Sequence, residues 1–141
     1  MPFANGAETA NVATESADPF SLLSTYRALI RLRSAHPVLA VGALTGVTAS
    51  AAGVTAVLRH DDAATMLVLQ NLNREPVPDV SLTLDVGPLC GSPSAALLYS
   101  SDDAAGPAPA APLVTPAGGL GGYVPLPELP AGSTVVIDLS P

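Results

Sequence analysis

One segment of the sequence has a clear helical pattern of apolar residues. Between Asp18 and Pro37, large apolar side chains recur at three- and four-residue spacing and would form one stripe along a helix: Leu22, Leu23, Tyr26, Leu29 and Ile30. Asp18 is a suitable N-cap, and Pro19 is suited to the first helical position. His36-Pro37 predicts the end, because the residue before a proline is disfavoured in helical geometry. The pattern predicts one amphipathic helix over about residues 18–35.

Downstream of Pro37 the pattern changes to short apolar or alternating runs separated by turn residues. Each run predicts a strand: Val38–Thr48, Val54–His60, Thr65–Leu72, Val80–Val86, Ala95–Tyr99, Tyr123–Leu126 and Thr134–Leu139. Asp102–Gly122, rich in Ala, Pro and Gly, predicts a long loop with at most one short edge strand. We therefore expect a mainly β fold, an antiparallel, Greek-key-like β-sandwich of about 6–8 strands preceded by one amphipathic α-helix.

The predicted helix has little to pack against on its N-terminal side. Residues 1–17 show no apolar period and predict a loop. Full burial of the five large apolar side chains of the stripe corresponds to about 7–15 kcal/mol. We therefore expect the stripe to be covered by the C-terminal region, by a partner, or by a domain outside this sequence.

Charge and cysteine content exclude some classes of function. The chain of 141 residues has a net charge of −7, and its five basic residues are all arginines that form no continuous patch, so we expect no nucleic-acid binding. The single cysteine excludes an internal disulfide. No basic and apolar leader is visible at the N-terminus, and the localisation stays open.

One uncharged segment raises the possibility of a membrane helix. Pro37–Leu58 contains no charged residue, and Gly42 and Gly46 have the GxxxG spacing of some membrane-helix dimers. However, Gly and Thr are frequent here and large aliphatic residues are few. Two strands around a turn at Ala49–Gly53 are the better interpretation, so we expect no membrane partner.

The residue types used in catalysis are present but not in catalytic patterns. Cys90 with His36 or His60 would be a nucleophile and base, but the turn-rich surroundings of Cys90 favour a bystander thiol. Paired aspartates such as Asp61-Asp62 match no EF-hand loop, and the two histidines lack metal-ligand spacing. The glycines of GGLGG follow no strand and open no helix, unlike those of a phosphate loop. We expect no catalytic, cofactor-binding or metal-binding residue, and no cofactor.

Carbohydrate binding is also weakly supported by the residues. Small β-sandwiches that bind sugars use exposed aromatic side chains, whereas this chain has no tryptophan, three tyrosines and two phenylalanines. Tyr26 and Phe20 belong to the helix segment, Tyr99 lies on a predicted core strand, and Tyr123 alone is a poor platform. A weak α-glucan contact remains the most that this pattern allows.

The helix segment and several of the predicted strands resemble a known family. NVATESADPFSLLSTYRALIRLRSAHPVLAVG resembles the end of the catalytic barrel in the α-amylase family, glycoside hydrolase family 13. The residues that fit the family pattern are Asn11, Val12, Asp18, Pro19, Ser21, Leu22, Leu23, Tyr26, Arg27, Leu29, Ile30, Leu32, Arg33, His36, Pro37 and Leu39. Val57-Leu58-Arg59 and the run LVLQNL resemble a hairpin of the family's C-terminal sandwich, and TVVIDL resembles its last strand. Glu15 departs from a common Gln, and the loop before Tyr123 is long for the family.

The resemblance implies a division of the chain and a role for it. Residues 1–36 would be the terminal loop and last helix of a truncated (β/α)8 barrel, and residues 37–141 the C-terminal β-sandwich domain. The partner would be the catalytic barrel, contacted through the stripe. The family's catalytic carboxylates belong to barrel strands that have no counterpart here, so whether the chain counts as an enzyme stays open. The implied function is a non-catalytic part of an α-amylase- or α-glucosidase-type enzyme that stabilises the barrel; the alternative is a stand-alone module that binds α-glucans.

Overall fold

The computed structural model describes residues 12–18, 21–102 and 107–141. Its helices are α1 (Val12–Ala17), α2 (Leu22–Ala35) and α3 (Val38–Val41). Its strands are β1 (Ala43–Ala49), β2 (Val54–His60), β3 (Thr65–Asn71), β4 (Val77–Pro78), β5 (Leu82–Val86), β6 (Ala96–Ser100), β7 (Gly118–Tyr123), β8 (Glu128–Leu129) and β9 (Thr134–Asp138). The chain forms two compact units, Met1–His36 and Pro37–Pro141.

Helix α2 begins later than the sequence pattern predicts. Its N-cap is Ser21, whose backbone is extended and whose hydroxyl oxygen accepts a hydrogen bond from the Ser24 N–H at 3.1 Å. The predicted cap Asp18 lies before the helix, and Pro19 lies outside the described residues. Serine and aspartate are equally good N-cap residues, so N-cap preference alone could not decide between Asp18 and Ser21. The end agrees with the prediction, because His36 is the C-cap and its N–H bonds to the Leu32 carbonyl.

The prediction of a loop before α2 was wrong for the described part, because Val12–Ala17 forms α1. Two hydroxyls hold α1 against the start of α2. Ser21 donates to the Glu15 carbonyl at 2.6 Å, and Arg27 donates to the Ser16 hydroxyl at 3.0 Å. A helix of six residues is not stable by its own propensity, so these contacts decide its formation. Residues 1–11 of the predicted loop lie outside the described part of the chain.

The predicted strand Val38–Thr48 divides into a short helix and a strand. Residues 38–41 form α3, which packs against β2 and β3, and β1 starts only at Ala43. The guanidinium of Arg59 donates to the carbonyls of Leu39 and Ala40, both at 3.2 Å. These bonds satisfy carbonyl groups at the end of α3 that lack a partner within the helix, and the sequence pattern shows nothing of them.

All strand pairs in the described chain are antiparallel. Seven strands form one sheet in the order β6-β9-β3-β2-β1-β5-β7, and β4 and β8 form a second, small sheet. Strand β1 pairs with β2 through residues 43–47 and with β5 through Thr48 and Ala49, so it joins the two halves of the curled sheet. The predicted mainly β, antiparallel sandwich class is confirmed, with three helices rather than one and two additional two-residue strands.

The core of the Pro37–Pro141 unit lies between the halves of the curled sheet. Alternate residues of the central strands face it, and its most buried side chains are Leu58, Leu67, Leu69, Leu82, Leu120, Tyr123, Leu129, Val135, Ile137 and Leu139. The hairpin of β2 and β3 supplies the centre of this cluster in an unbroken register from Val54↔Asn71 to His60↔Thr65. The segment that resembles the family hairpin is therefore a hairpin.

The Ala-, Pro- and Gly-rich segment contains one edge strand, which the sequence analysis allowed but did not locate. Gly118–Tyr123 forms β7, which pairs with β5 at the edge of the sheet, whereas the predicted strand was Tyr123–Leu126. The outer side of β7 is bonded by the chain itself: Val114 bridges to Leu120, and the Gly121 N–H donates to the Leu113 carbonyl at 2.9 Å. Residues 103–106 of the predicted loop lie outside the described residues.

The buried phenol of Tyr123 makes stability sensitive to alkaline pH. Its hydroxyl donates to the Ala110 carbonyl at 2.7 Å, and burial raises the pKa of Tyr123 to about 12. Since this exceeds the value of about 10 in an unfolded chain, the stabilisation is complete below pH 10 and is lost as pH rises towards 12. We expect the free energy of unfolding to fall by about 2–3 kcal/mol over that window, as measured by urea denaturation at fixed pH.

Tyr123→Phe is the matched control for this pH dependence. Burial also raises the pKa of Tyr99, but that side chain is present in both proteins, so their difference isolates Tyr123. The chain contains no lysine to titrate in the same window. Equal pH slopes for the two proteins between pH 10 and 12 would contradict the assignment.

Candidate functional site

An apolar face of α2 is the candidate site that the sequence predicts. We call the five side chains Leu22, Leu23, Tyr26, Leu29 and Ile30 the α2 face. Leu22 is 68% exposed, Tyr26 59% and Ile30 62%, and α2 has no buried residue. Leu29 is exposed and Leu23 is half-buried. The helix therefore presents large apolar side chains on one side, as its spacing predicts.

Polar groups at its start hold α2 in a defined position relative to α1. The Ser21 hydroxyl bonds to the Ser24 side chain at 3.1 Å, and the Ser24 hydroxyl donates to the Asp18 carbonyl at 2.8 Å. Ser21 is itself buried, so its hydrogen bonds are shielded from water.

Exposure of this size is unusual for a surface with no partner. Single exposed apolar residues are common, but contiguous ones mark contacts with another body. No ionic group lies among the five side chains. Such a surface binds through shape and burial of apolar area, and it has no means of acid–base or nucleophilic chemistry.

Cys90, His36 and His60, which the sequence analysis considered and set aside as a nucleophile and its bases, have separate local contacts. Cys90 is exposed, with its thiol 3.7 Å from the Pro88 carbonyl oxygen, and it lines an open cavity of about 690 Å³ with residues such as Thr115 and Gly118. The Nε2 atom of His60 lies 3.0 Å from the Thr45 hydroxyl. His36 is the C-cap of α2.

The carboxylates of Asp61 and Asp138 stabilise turns by accepting hydrogen bonds from backbone N–H groups. The Asp61 carboxylate accepts from the N–H groups of Ala63 and Ala64 at 2.9 Å, and that of Asp138 accepts from the Ser140 N–H at 2.9 Å. Within residues 12–18, 21–102 and 107–141, no group of three His, Cys, Asp or Glu residues could hold a metal ion. In the same part of the chain, no helix has the length and apolar character needed to cross a membrane.

The aromatic side chains occupy different environments. Tyr123 is buried in the core, Tyr99 is half-buried on β6, and Tyr26 is exposed within the α2 face. Phe3 and Phe20 lie outside the described residues. Among the described aromatic residues, only Tyr26 is well exposed, and it lies within the apolar α2 face.

Sequence reasoning missed the polar residues that organise the structure. Ser21 joins α1 to α2, Arg59 caps α3, and the buried Asn71 bonds to several backbone groups around the end of β3. The first could be suspected from its cap chemistry. Arg59 bonds to the Ala40 carbonyl, 19 residues away along the chain, and Asn71 bonds to the Leu129 carbonyl, 58 residues away. No local sequence pattern indicates partners at such distances.

The relationship to other proteins is visible in solved structures. No protein-family model and no curated protein matches the chain. The trehalulose synthase MutB from Pseudomonas mesoacidophila MX-45 is 31% identical over 95% of the chain, with a TM-score of 0.67. A MutB variant in complex with the substrate sucrose is 32% identical over 94% of the chain, with a TM-score of 0.66. An α-amylase from H. orenii shares the fold, with 24% identity over 99% of the chain and a TM-score of 0.68.

The chain spans about a fifth of the length of these proteins: 20% of MutB and 24% of the α-amylase. The matched enzymes belong to glycoside hydrolase family 13, and in them this region lies beside the catalytic barrel. The match extends over nearly all of this chain and therefore includes both the helical unit and the sandwich. The similarity over nearly the whole of this chain and a fifth of theirs is consistent with a C-terminal fragment of a glycoside hydrolase family 13 enzyme.

Proposed function

We propose that this chain is a non-catalytic module that stabilises the catalytic (β/α)8 barrel of an α-amylase- or α-glucosidase-type enzyme. In this role residues 1–36 contribute the last helix of the barrel and the segment before it, which includes α1, and residues 37–141 form the C-terminal sandwich. The observation that carries the proposal is the exposed α2 face, whose residues Leu22, Tyr26 and Ile30 are each more than half exposed. The inner surface of a barrel helix is an apolar surface of this kind.

The chemistry of the face supports a structural contact rather than a substrate site. Large apolar side chains gain about 1.5–3 kcal/mol each when fully buried, so a barrel that covers the face gains substantial stability. Retaining glycosidases need two carboxylates about 5–5.5 Å apart on a rigid scaffold. The α2 face contains no carboxylate, and Asp61 and Asp138 bond to backbone N–H groups in turns. We infer that bond cleavage belongs to the barrel.

The α-glucan-binding alternative has less support. Sugar platforms need exposed aromatic rings, and the well-exposed ring of Tyr26 is surrounded by aliphatic side chains of the same helix face. Docking of that face on a barrel and stacking of Tyr26 on a sugar exclude each other. The partner proposed for Tyr26 is therefore the barrel.

A chimera tests the role of the α2 face. In this protein, called the MutB chimera, our full chain replaces the matching region of trehalulose synthase MutB. Leu22→Ser with Ile30→Ser removes apolar side chains at the proposed contact, so we expect an at least tenfold shorter half-life of trehalulose-forming activity at elevated temperature. Arg31→Ser, on the opposite side of the same helix, is the control and should change the half-life less than twofold.

The same variants in the isolated chain separate docking from folding. Because Leu22 and Ile30 are exposed, their replacement should leave the unfolding midpoint of the isolated sandwich unchanged within about 0.5 kcal/mol. The proposal fails if the double variant and Arg31→Ser shorten the chimera's half-life equally. It also fails if the isolated chain is a monomer in which an experimental structure shows the side chains of the α2 face to be buried.

A further inference from the structure

Val38 and Met66 are buried apolar side chains that lie outside the core of the sandwich. Val38 is 3% exposed and Met66 is 2% exposed, yet neither belongs to the cluster of buried residues between the halves of the sheet. Side chains along a strand alternate between its two faces. Since the neighbouring Leu67 belongs to that cluster, Met66 points to the opposite, outer face of the sheet. Its burial there requires a further layer of protein over this position.

The pairing of the strands places Met66 on the same side of the sheet as α3. Met66 lies directly opposite Arg59 in the register of β2 and β3, and directly opposite residues project from the same face. The Arg59 guanidinium donates to the carbonyls of Leu39 and Ala40 in α3, both at 3.2 Å. Helix α3 in turn packs against both β2 and β3. These contacts make α3 and Arg59 the layer that covers Met66.

The cover over this row of the sheet ends at Arg59. Leu44 lies opposite Arg59 on the other side, in β1, and it is 61% exposed. The outer face is therefore open to solvent at Leu44 and closed over Met66. Solvent lies close to the covered methionine, separated from it by the Arg59 side chain and α3.

Helix α3 is suited to open without unfolding of the sandwich. It has four residues, too few for a helix that is stable without tertiary contacts. The contacts that hold it are the buried side chain of Val38 at its start and the two hydrogen bonds from Arg59 near its end. Segments with so few buried side chains open locally at a lower free energy than the strands of a core.

We propose that α3 is a strap that controls oxidation of Met66, and that the two form a redox-sensitive switch. The closed strap protects the thioether, and the open strap admits a peroxide. One oxygen atom of the peroxide is transferred to the sulfur: the O–O bond breaks, an S–O bond forms, and hydrogen peroxide leaves as water. The sulfur is oxidised to the sulfoxide while the peroxide is reduced. This inference concerns the Pro37–Pro141 unit alone and is independent of the proposed function.

The oxidised side chain keeps the strap open. A sulfoxide is polar, and burying a polar group without a hydrogen-bond partner is unfavourable. Closure of α3 over the sulfoxide therefore costs more than closure over the thioether. The core is spared, because Leu67 and Leu69 of the same strand project to the other face. A methionine sulfoxide reductase restores the thioether, which makes the change reversible.

Peroxide oxidation of the full chain tests the strap. The background protein carries Cys90→Ser, because the exposed Cys90 thiol reacts with hydrogen peroxide as well. Mass spectrometry of tryptic peptides measures the sulfoxide at Met66, and the only other methionine, Met1, lies in a different peptide. We expect oxidation at least tenfold slower than that of a methionine in a short peptide. The rate should change little with low concentrations of urea, since local opening exposes little surface.

Two variants loosen the strap from its two sides. Arg59→Gln removes both hydrogen bonds to α3 and should raise the oxidation rate about tenfold. Gly42→Ala acts from the end of α3, because its Cβ would lie 2.7 Å from the Val38 side chain and 3.0 Å from the His60 carbonyl oxygen, and it should also raise the rate. If Arg59→Gln does not fold, Gly42→Ala decides. Thr55→Ala, exposed on the same face of β2 as Arg59, is the matched control and should change the rate less than twofold.

The dependence on urea separates opening of the strap from global unfolding. If every variant oxidises with the same steep urea dependence as global unfolding, Met66 is reached only in the unfolded chain and α3 is not a strap. Oxidation of the background protein as fast as that of the short peptide would show that Met66 is not covered.

Hydrogen exchange of the sulfoxide form tests the switch. The N–H groups of Val41 and Gly42 bond to carbonyls of residues 37 and 38 and therefore report on α3. We expect their exchange to become at least tenfold faster on oxidation and to slow again after treatment with the reductase, while the amides of Leu67 and Leu69 stay protected. Loss of protection at all four amides would mean that oxidation unfolds the unit, and unchanged protection at Val41 and Gly42 would mean that α3 closes over the sulfoxide. Either result overturns the switch.

Discussion

Gly119→Ala should unfold the sandwich or lower its free energy of unfolding by at least about 4 kcal/mol. Gly119 is buried in β7, where the strand passes very close to β5. A Cβ at this position would collide with the Leu84 carbonyl oxygen and lie 2.7 Å from the carbonyl oxygen of Asp85. These atoms belong to the backbone of the paired strand and cannot rotate away, so the two strands would have to separate.

Gly121→Ala is the matched control two residues along the same strand. A Cβ there would be 3.7 Å from the Leu113 carbonyl oxygen and 3.7 Å from the Thr115 methyl group, which is ordinary contact. Neither Gly119 nor Gly121 has a positive φ, so alanine adopts both backbone conformations without strain. We expect Gly121→Ala to change stability by less than about 1 kcal/mol. Circular dichroism during urea unfolding measures both variants, and equal loss in the two would contradict a steric role for Gly119.

The same glycine explains why the sequence allowed an edge strand in this segment but did not locate β7. Local propensity treats GGLGG as flexible, since glycine weakens a strand when it is judged by itself. The strand forms because close approach to β5 requires a residue without a side chain, which is a property of tertiary structure. The edge is then closed by bonds from residues 113–115, across a segment whose prolines also indicate a loop. The position of the strand could not be predicted because the residues that pair across β5 and β7 lie more than 30 positions apart in the sequence.

The elements that were predicted well are those decided by local periodicity. Helix α2 has five apolar residues at helical spacing, and its C-terminal end is set by a proline. The hairpin of β2 and β3 combines two apolar runs with an aspartate turn, where Asp61 bonds to the next backbone N–H groups. The two-residue strands β4 and β8 are too short for any period to appear. Helix α1 depends on Ser21 rather than on its own residues.

The candidate site also has features that local periodicity predicts and features that only tertiary contacts determine. The α2 face could be predicted because helical spacing places its residues together whatever surrounds them. The exposed position of Val41 could not, since Val38–Thr48 predicts one strand and the structure ends α3 at Val41 before β1 begins. Whether Leu44 faces the core or solvent depends on the register with β2, and a shift of one residue would reverse it. An uncharged sequence indicates burial without identifying the partner that provides it.

Asn71→Ala should lower the free energy of unfolding by about 3–5 kcal/mol, the largest effect that we expect from removing a polar side chain. Asn71 is 1% exposed at the end of β3. Its Nδ2 group lies 3.0–3.1 Å from the carbonyl oxygens of Glu75, Leu129 and Pro130, and its Oδ1 accepts from the Asn73 N–H at 3.0 Å. These bonds join the β3 turn to β8, so truncation leaves several buried groups without partners.

Two further substitutions distinguish the hydrogen bonds of Asn71 from its volume. Asn71→Asp keeps the shape but places a carboxylate against three carbonyl oxygens, so we expect it to be at least as destabilising as alanine at pH 7. Burial and these carbonyls raise the pKa of the introduced carboxyl, so the Asn71→Asp protein should gain stability as pH falls towards 4. Gln70→Ala, at the exposed neighbouring position, should change stability by less than about 0.5 kcal/mol. If Asn71→Asp is as stable as the unmodified chain at pH 7, the carbonyl contacts do not hold β3 to β8, and packing alone must do so.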